Sequence, residues 1–272
     1  MCGGFLIDRT LRQSPTISRL CLGRSQLFFE CLIDNGLMEE KYSARELNSN
    51  MNALMSAAPL FAGLPQPAVD KAMKNVVTRS HPPNQVILLE NDWGGSVYFI
   101  LNGWVKIRTY NMDGKEVTLN ILGQGELFGE MAALDQVPRS TDVITLTPTT
   151  IGSMPSQDFV HLVKTEPMAG VRLAQLMAKR LRQLNRRLRL RESDSVSRVA
   201  DTLIFLAEGQ GKSQAQGTEI PNLPHRELSS LSGLARETVT RVLTKLEKKG
   251  LILREHDLLI IPDLAALEDI IA

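Results

Sequence analysis

Gly125-Glu126-Leu127-Phe128-Gly129-Glu130-Met131-Ala132-Ala133-Leu134-Asp135-Gln136-Val137-Pro138-Arg139-Ser140-Thr141 gathers the ingredients of a nucleotide site into one short loop. Gly125 and Gly129 permit positive φ or a close backbone approach. Glu130 offers a carboxylate that can accept from two adjacent sugar hydroxyls. Arg139 and Ser140 offer a guanidinium fork, a hydroxyl and nearby amides, which suit a phosphate. Taken alone, the same residues also describe a turn with a surface ion pair. The sequence on either side decides between the two.

Upstream, the hydrophobic period is two. Gln85–Leu89, Val97–Leu101, Val105–Tyr110 and Glu116–Leu122 read as strands. Asp92-Trp93-Gly94-Gly95, Asn102-Gly103 and Met112-Asp113-Gly114 punctuate them, and Asn-Gly and Asp-Gly are strong hairpin signals. Two more strands follow the cassette, at Asp142–Leu146 and Thr149–Met154. Many short strands at even spacing imply an antiparallel roll. Short helices at Met51–Met55 and Pro67–Met73 precede it.

Downstream, the period changes to that of a helix. Ser156–Val163 is a short amphipathic helix with Ser156 as its expected N-cap. A longer helix runs from about Pro167 to Arg191. Its Ala174, Met177, Leu181, Leu184 and Leu188 are spaced three, four, three and four apart, a coiled-coil seam. Leu173, Leu176 and Arg180 lie on an adjacent face that can meet the roll. The arginines rimming the seam favour an exposed helix that pairs with a second copy over one packed wholly inside its own domain. Asp194 is placed to cap the next helix, Ser195–Ala207, and this break marks a domain boundary and hinge.

After the polar loop Glu208–Gly217 comes helix, glycine turn, helix: Pro224–Leu231, Ser232-Gly233-Leu234 and Arg236–Lys248. That is the sequence form of a helix-turn-helix. Leu228, Leu231, Leu234, Val239, Val242, Leu243 and Leu246 form its expected core. A hairpin, or wing, follows around Glu255-His256-Asp257. Over 225–254, seven basic side chains stand against three acidic ones, a local net of +4 in a chain whose overall charge is +1. A basic patch on a helix-turn-helix is what phosphate contact requires.

The 272 residues, 43% hydrophobic and without an apolar run of membrane length, read as a multidomain globular protein. Cys2, Cys21 and Cys31 all fall in the first 31 residues with no CxxC pair. The body therefore reads as cytoplasmic, with no disulfide framework and no metal site. His81, His161, His225 and His256 are scattered, and no catalytic set or phosphate-cradling Walker loop appears, so an enzyme is not expected. Residues 1 to about 50 read either as a loose arm or as sequence upstream of a start at Met38 or Met51.

A Gly-Glu and Arg-Ser cassette on a roll, a long seam helix and a winged helix-turn-helix together resemble the cyclic-AMP receptor family of bacterial transcription regulators, over about Met55 to Pro262. The resemblance implies an α+β fold. Its parts are a cyclic-nucleotide-binding β-roll of jelly-roll type at 51–166, a dimerisation helix and hinge at 167–193, and a winged helix-turn-helix DNA-binding domain at 194–272. It implies cyclic AMP as allosteric effector, held by Gly129, Glu130, Met131, Arg139, Ser140 and Thr141. Leu184 and Asn185 stand where the best-known member uses a Thr-Ser pair to touch the adenine, which leaves cyclic GMP as an alternative effector. In the recognition helix, Arg236 and Arg241 would fork onto guanines, and Glu237 would accept from cytosine. These preferences resemble those for TGTGA half-sites in inverted symmetry. Arg226, Thr238, Thr240 and Lys245 complete the implied DNA surface. Ala235 replaces a serine that caps this helix in that member. The implied partners are double-stranded DNA, a second copy of the chain and RNA polymerase, the last through Glu208–Gly217; no membrane is involved. A sensor that responds to another small molecule, or to none, is the alternative with the same DNA output.

Overall fold

The computed structural model describes residues 58–271 apart from Lys115, His256 and Asp257. The helix expected at Met51–Met55, the three cysteines and the tip of the wing lie outside the described residues. The fold is α+β. Short helix α1 (Gln66–Met73) leads into strands β1 (Val77–His81), β2 (Val86–Leu88), β3 (Ser96–Asn102), β4 (Val105–Tyr110), β5 (Glu116–Leu122), β6 (Leu127–Phe128), β7 (Asp142–Thr145) and β8 (Thr149–Pro155). They form two four-stranded antiparallel sheets, ordered β1-β8-β3-β6 and β2-β7-β4-β5.

Alternation along β3 divides the core. Ile100 joins Val105, Leu122, Phe128, Val143 and Ile151 in one cluster. Val97, Phe99 and Leu101 point the other way, to Leu127, Met154 and the flanking helices. Successive side chains on a strand leave opposite faces, so one strand serves both layers. Phe99 is 1% exposed, and truncating such a residue to Ala costs about 3–5 kcal/mol. The Asp113-Gly114 turn closes β4 onto β5 as expected. Gly114 has φ +71, and its N–H donates to Asn111 O at 2.9 Å.

Helix α2 (Glu130–Asp135) interrupts the strands. After β8 come α3 (Ser156–Thr165) and the long α4 (Pro167–Arg189). Ala169 and Leu173 of α4 are buried in the cluster that Val97 and Phe99 share, with Leu176 and Met177 packed on it. Leu181, Leu184 and Leu188 of the seam remain exposed. A 3-10 turn, Leu190–Glu192, separates α4 from α5 (Ser195–Gln210). The expected cap holds here: the Asp194 carboxylate accepts from Val196 N at 2.6 Å and Ser197 N at 3.0 Å.

The C-terminal part adds β9 (Lys212–Gln214), β10 (Gly217–Pro221), α6 (His225–Ser232), α7 (Arg236–Lys248), β11 (Leu253–Arg254), β12 (Leu258–Ile261) and α8 (Leu264–Ile271). Its strands order β11-β12-β10-β9. The expected core residues of the helix-turn-helix lie together, joined by Leu203, Ile204, Ile252, Leu259 and Leu267 from neighbouring elements.

Two expectations need correction, and two elements carry no clear sequence signal. Ser156 is not a cap: it is the first residue of α3 behind Pro155, and its hydroxyl is buried without a partner. The expected loop at Glu208–Gly217 is the end of α5 and the β9–β10 hairpin. Strand β1 escaped the period-two reading because it lies at a sheet edge with no clean inside-outside alternation. Helix α8 was not foreseen; Leu267 anchors it in the core around α5.

Candidate functional site

The cassette is not a plain loop. Glu130-Met131-Ala132-Ala133-Leu134 are good helix formers and coil into α2. Gly129 precedes it at φ +81, and Gln136 ends it at φ +56. Gly129 is there for a second reason: a Cβ would come 2.7 Å from Arg139 Nη1.

Arg139 is 3% exposed. Its backbone is fixed by a reciprocal pair of bonds: its N–H donates to Asp92 O, and its carbonyl accepts from Asn91 N, both at 2.8 Å. Nη1 donates to Gly129 O and Nη2 to Ser96 O, each at 2.7 Å. The guanidinium lies over the Tyr98 ring, 5.8 Å from its centroid. Nε is buried with no acceptor. Among the described residues no carboxylate pairs with Arg139. A buried cation with carbonyls but no counter-charge is a poor end state for folding alone and a ready one for an anion. Gly94 lets the loop pass directly over this group, where a Cβ would collide with the guanidinium.

Glu130 is 3% exposed, and its partner comes from the long helix. Arg180 Nη1 donates to Glu130 Oε1 at 2.8 Å, and Nη2 donates to Leu127 O. Arg180 Nε, like Arg139 Nε, is buried without an acceptor. Two orphaned guanidinium N–H groups beside a buried carboxylate suit an acceptor-rich, anionic ligand with hydroxyls, and a cyclic nucleotide has that composition. Sequence reading placed Arg180 on the face that meets the roll but left it out of the site. Its signal was available: an arginine on an otherwise apolar inward face needs a carboxylate, and Glu130 needs a cation.

The remaining expected residues do not all converge. Met131 and Ser140 are exposed at the cassette surface and Thr141 is half-buried. Leu184 and Asn185 are exposed on α4, one turn beyond Arg180. Leu184 lines a cleft of about 970 Å³ bounded by β4, β5, the end of α4 and α6, which includes neither Glu130 nor Arg139.

The second surface is α7. Val239, Val242, Leu243 and Leu246 are buried, which fixes the helix's rotation and turns Arg236, Glu237, Thr240, Arg241 and Lys245 outward. Thr238 is half-buried and accepts from Arg241 Nη2 at 3.3 Å. No side chain caps α7 at Ala235, as expected from its methyl group. His225 Nδ1 lies 2.8 Å from Thr240 Oγ1. Burial first, then the Arg254 and Arg236 cations, push its imidazole below its ordinary value. The local charge is partly compensated: Arg254 pairs with Glu247, and Arg226 with Glu227.

Comparison with known proteins finds a family for each of the two regions that carry these surfaces. The cyclic nucleotide-binding domain family matches residues 78–166, and the Crp-like helix-turn-helix domain family matches 197–270. The cyclic AMP receptor protein of Thermus thermophilus is 33% identical over 218 residues, covering 79% of this chain and 98% of that protein. A CRP-like cAMP-activated global transcriptional regulator of Mycobacterium tuberculosis is 29% identical, over 78% of this chain and 96% of that one. Among solved structures, a CRP/FNR-family transcriptional regulator from Thermus thermophilus aligns with a TM-score of 0.55 at 26% identity, covering 72% of this chain and 98% of that one. A c-di-GMP-responsive global regulator from Xanthomonas campestris shares the fold, with a TM-score of 0.58 at 24% identity over 73% of this chain and 100% of that one.

Proposed function

Given that the chain belongs to the cyclic AMP receptor protein family of DNA-binding transcription regulators, we propose that its effector is cyclic AMP and that it acts as a homodimer on TGTGA-like inverted half-sites, as an activator. The observation that carries the effector is Arg139, a buried guanidinium with no carboxylate partner among the described residues, one short helix from buried Glu130. The cyclic phosphate would take Arg139 with Ser140, and the ribose hydroxyl would take Glu130 with Arg180.

The dimer reading rests on Leu181, Leu184 and Leu188, which lie 58%, 45% and 57% exposed in seam register on α4. Large apolar side chains repeating at that spacing are costly to leave in water. Residues 51–166 would be the effector unit, 167–193 the dimer helix and hinge, and 194–272 the DNA-binding unit. In the dimer, two copies of α7 would sit about 34 Å apart, one turn of DNA. RNA polymerase would be met on the DNA-binding unit, with the β9–β10 hairpin as the candidate surface. Among the described residues no helix is long and apolar enough to cross a membrane, and the working place of such a regulator is the cytoplasm.

A second reading, cyclic GMP, rests on the family resemblance: at the two positions that would meet the base, Leu184 would offer no hydrogen bond, whereas Asn185 can both donate and accept. Calorimetric titration with each nucleotide decides. Heat with cyclic AMP, lost in Arg139→Leu, supports the first reading. Heat with cyclic GMP alone supports the second, and heat with neither rejects both.

A further inference from the structure

An unbroken line of alternating charge runs from the roll into the helix-turn-helix. Arg108 of β4 donates to Asp142 Oδ2 of β7 at 3.2 Å and to Glu116 Oε2 of β5 at 2.6 Å. Glu116 Oε1 accepts from Lys106 Nζ at 2.7 Å. The same ammonium lies 2.9 Å from Glu227 Oε2 of α6, and Glu227 Oε1 lies 3.0 Å from Arg226 Nη2. Lys106 and Glu227, which join the two units, are 5% and 1% exposed. Their contact is an ion pair off the line of a hydrogen bond, because Glu227 Oε2 has no donor aligned on it. Thr118 Oγ1 donates to Ser230 Oγ at 2.6 Å beside it, and Ile121 of β5 is buried in the core of the DNA-binding unit.

A buried ion pair is weak evidence for stability, because desolvation offsets most of its attraction, but it defines one arrangement sharply. Here the arrangement bears on DNA. Arg226 offers Nε and Nη2 to Glu227 Oε1, at 3.1 and 3.0 Å. That edge is one a phosphate would take in a fork. Lys106 keeps the Glu227 carboxylate buried and fixed beside it, so a phosphate arriving at Arg226 meets a negative charge that cannot swing away.

We propose that Lys106 and Glu227 form a latch between the β-roll and the DNA-binding unit, and that the latched arrangement lowers DNA affinity by holding Arg226 to Glu227. When α6 leaves β5, Glu227 loses Lys106, becomes solvated and releases Arg226. DNA then binds the unlatched arrangement better, and an effector that favours unlatching raises DNA affinity by linkage. This inference rests on the DNA-binding reading.

The test compares full-length wild type, Glu227→Gln, Lys106→Met and the double variant Lys106→Met/Glu227→Leu, which leaves neither charge unpaired across the interface. Affinity for a palindromic TGTGA duplex is measured by fluorescence anisotropy with and without saturating cyclic AMP. Hydrogen exchange is followed on 116–122 and 225–232. The latch predicts that, without nucleotide, the double variant and Glu227→Gln bind about fivefold or more tightly than wild type. With nucleotide they match wild type within about twofold, and 225–232 exchanges faster in the variants. Unchanged or weaker nucleotide-free binding in a variant with native circular dichroism overturns the latch. If wild type binds no duplex even with nucleotide, the DNA reading fails. Exchange then decides docking alone: faster exchange in the double variant upholds Lys106–Glu227 as the interdomain tie, and unchanged exchange rejects it.

Discussion

Arg180 of α4 donates to Glu130 of α2 at 2.8 Å, across fifty residues of chain. The contact ties the helix that carries the exposed seam to the buried carboxylate of the cassette. An effector that reorganises Glu130 therefore acts on α4 directly, without an intermediate element.

Replacing Glu130 with Gln keeps the shape and removes the charge. Hydrogen bonds to charged groups contribute about 1.5–3 kcal/mol, so cyclic nucleotide affinity is expected to fall tenfold or more by calorimetry. Arg180→Met is expected to lose affinity similarly and to leave Glu130 as a buried, unpaired charge, visible as a lower urea midpoint.

Arg139→Leu is expected to abolish nucleotide binding and also to destabilise the unliganded protein. The Gly129 and Ser96 carbonyls would lose their donors inside the roll, at about 1–3 kcal/mol for a buried polar group. Urea denaturation without nucleotide checks this. An unchanged midpoint would mean that the two bonds add nothing to stability.

Ala235→Ser restores a cap that α7 lacks. The hydroxyl can accept from the N–H of Thr238 or its neighbour, for about 1 kcal/mol. The melting temperature is expected to rise, and DNA affinity to rise with it through one added phosphate contact. A stability gain without an affinity gain would place position 235 away from the backbone of the duplex.

Asp194 caps α5, and the backbone N–H groups of Ser197 and then Val196 hold its carboxyl below its ordinary value of 3.8. A depressed folded value means that the cap's contribution is fully present above that ordinary value and is lost as pH falls through the folded one. Asp194→Ala is expected to cost about 1 kcal/mol at neutral pH. The gap between wild type and variant should narrow under acid. A gap that stays constant down to low pH would contradict a charged cap.

The sequence made the large elements legible because their periods are clear. β3 alternates cleanly between two cores, and α4 carries a seam at three-four spacing. α7 has four buried residues on one face, so the exposure of Arg236, Glu237 and Arg241 followed from the pattern. Two kinds of feature stayed hidden. Strand β1 lies at a sheet edge and shows no alternation, and α2, six residues long, is too short to show a helical period. Long-range partners such as Arg180 with Glu130, or Lys106 with Glu227, leave only the trace of a charge on an inward face, and that trace does not name its partner.

Control of the DNA contact of Arg236, Glu237 and Arg241 by a cyclic nucleotide at Arg139 and Glu130 is the proposed link between the two surfaces. Its most direct test is anisotropy on a labelled duplex carrying inverted TGTGA half-sites, with and without cyclic AMP, for wild type, Arg139→Leu and Arg241→Ala. Cyclic AMP is expected to tighten binding by about tenfold or more in wild type and to leave it unaltered in Arg139→Leu. Arg241→Ala should lose about 1–3 kcal/mol of affinity for this duplex. Wild-type affinity that is the same with and without cyclic AMP would contradict that link.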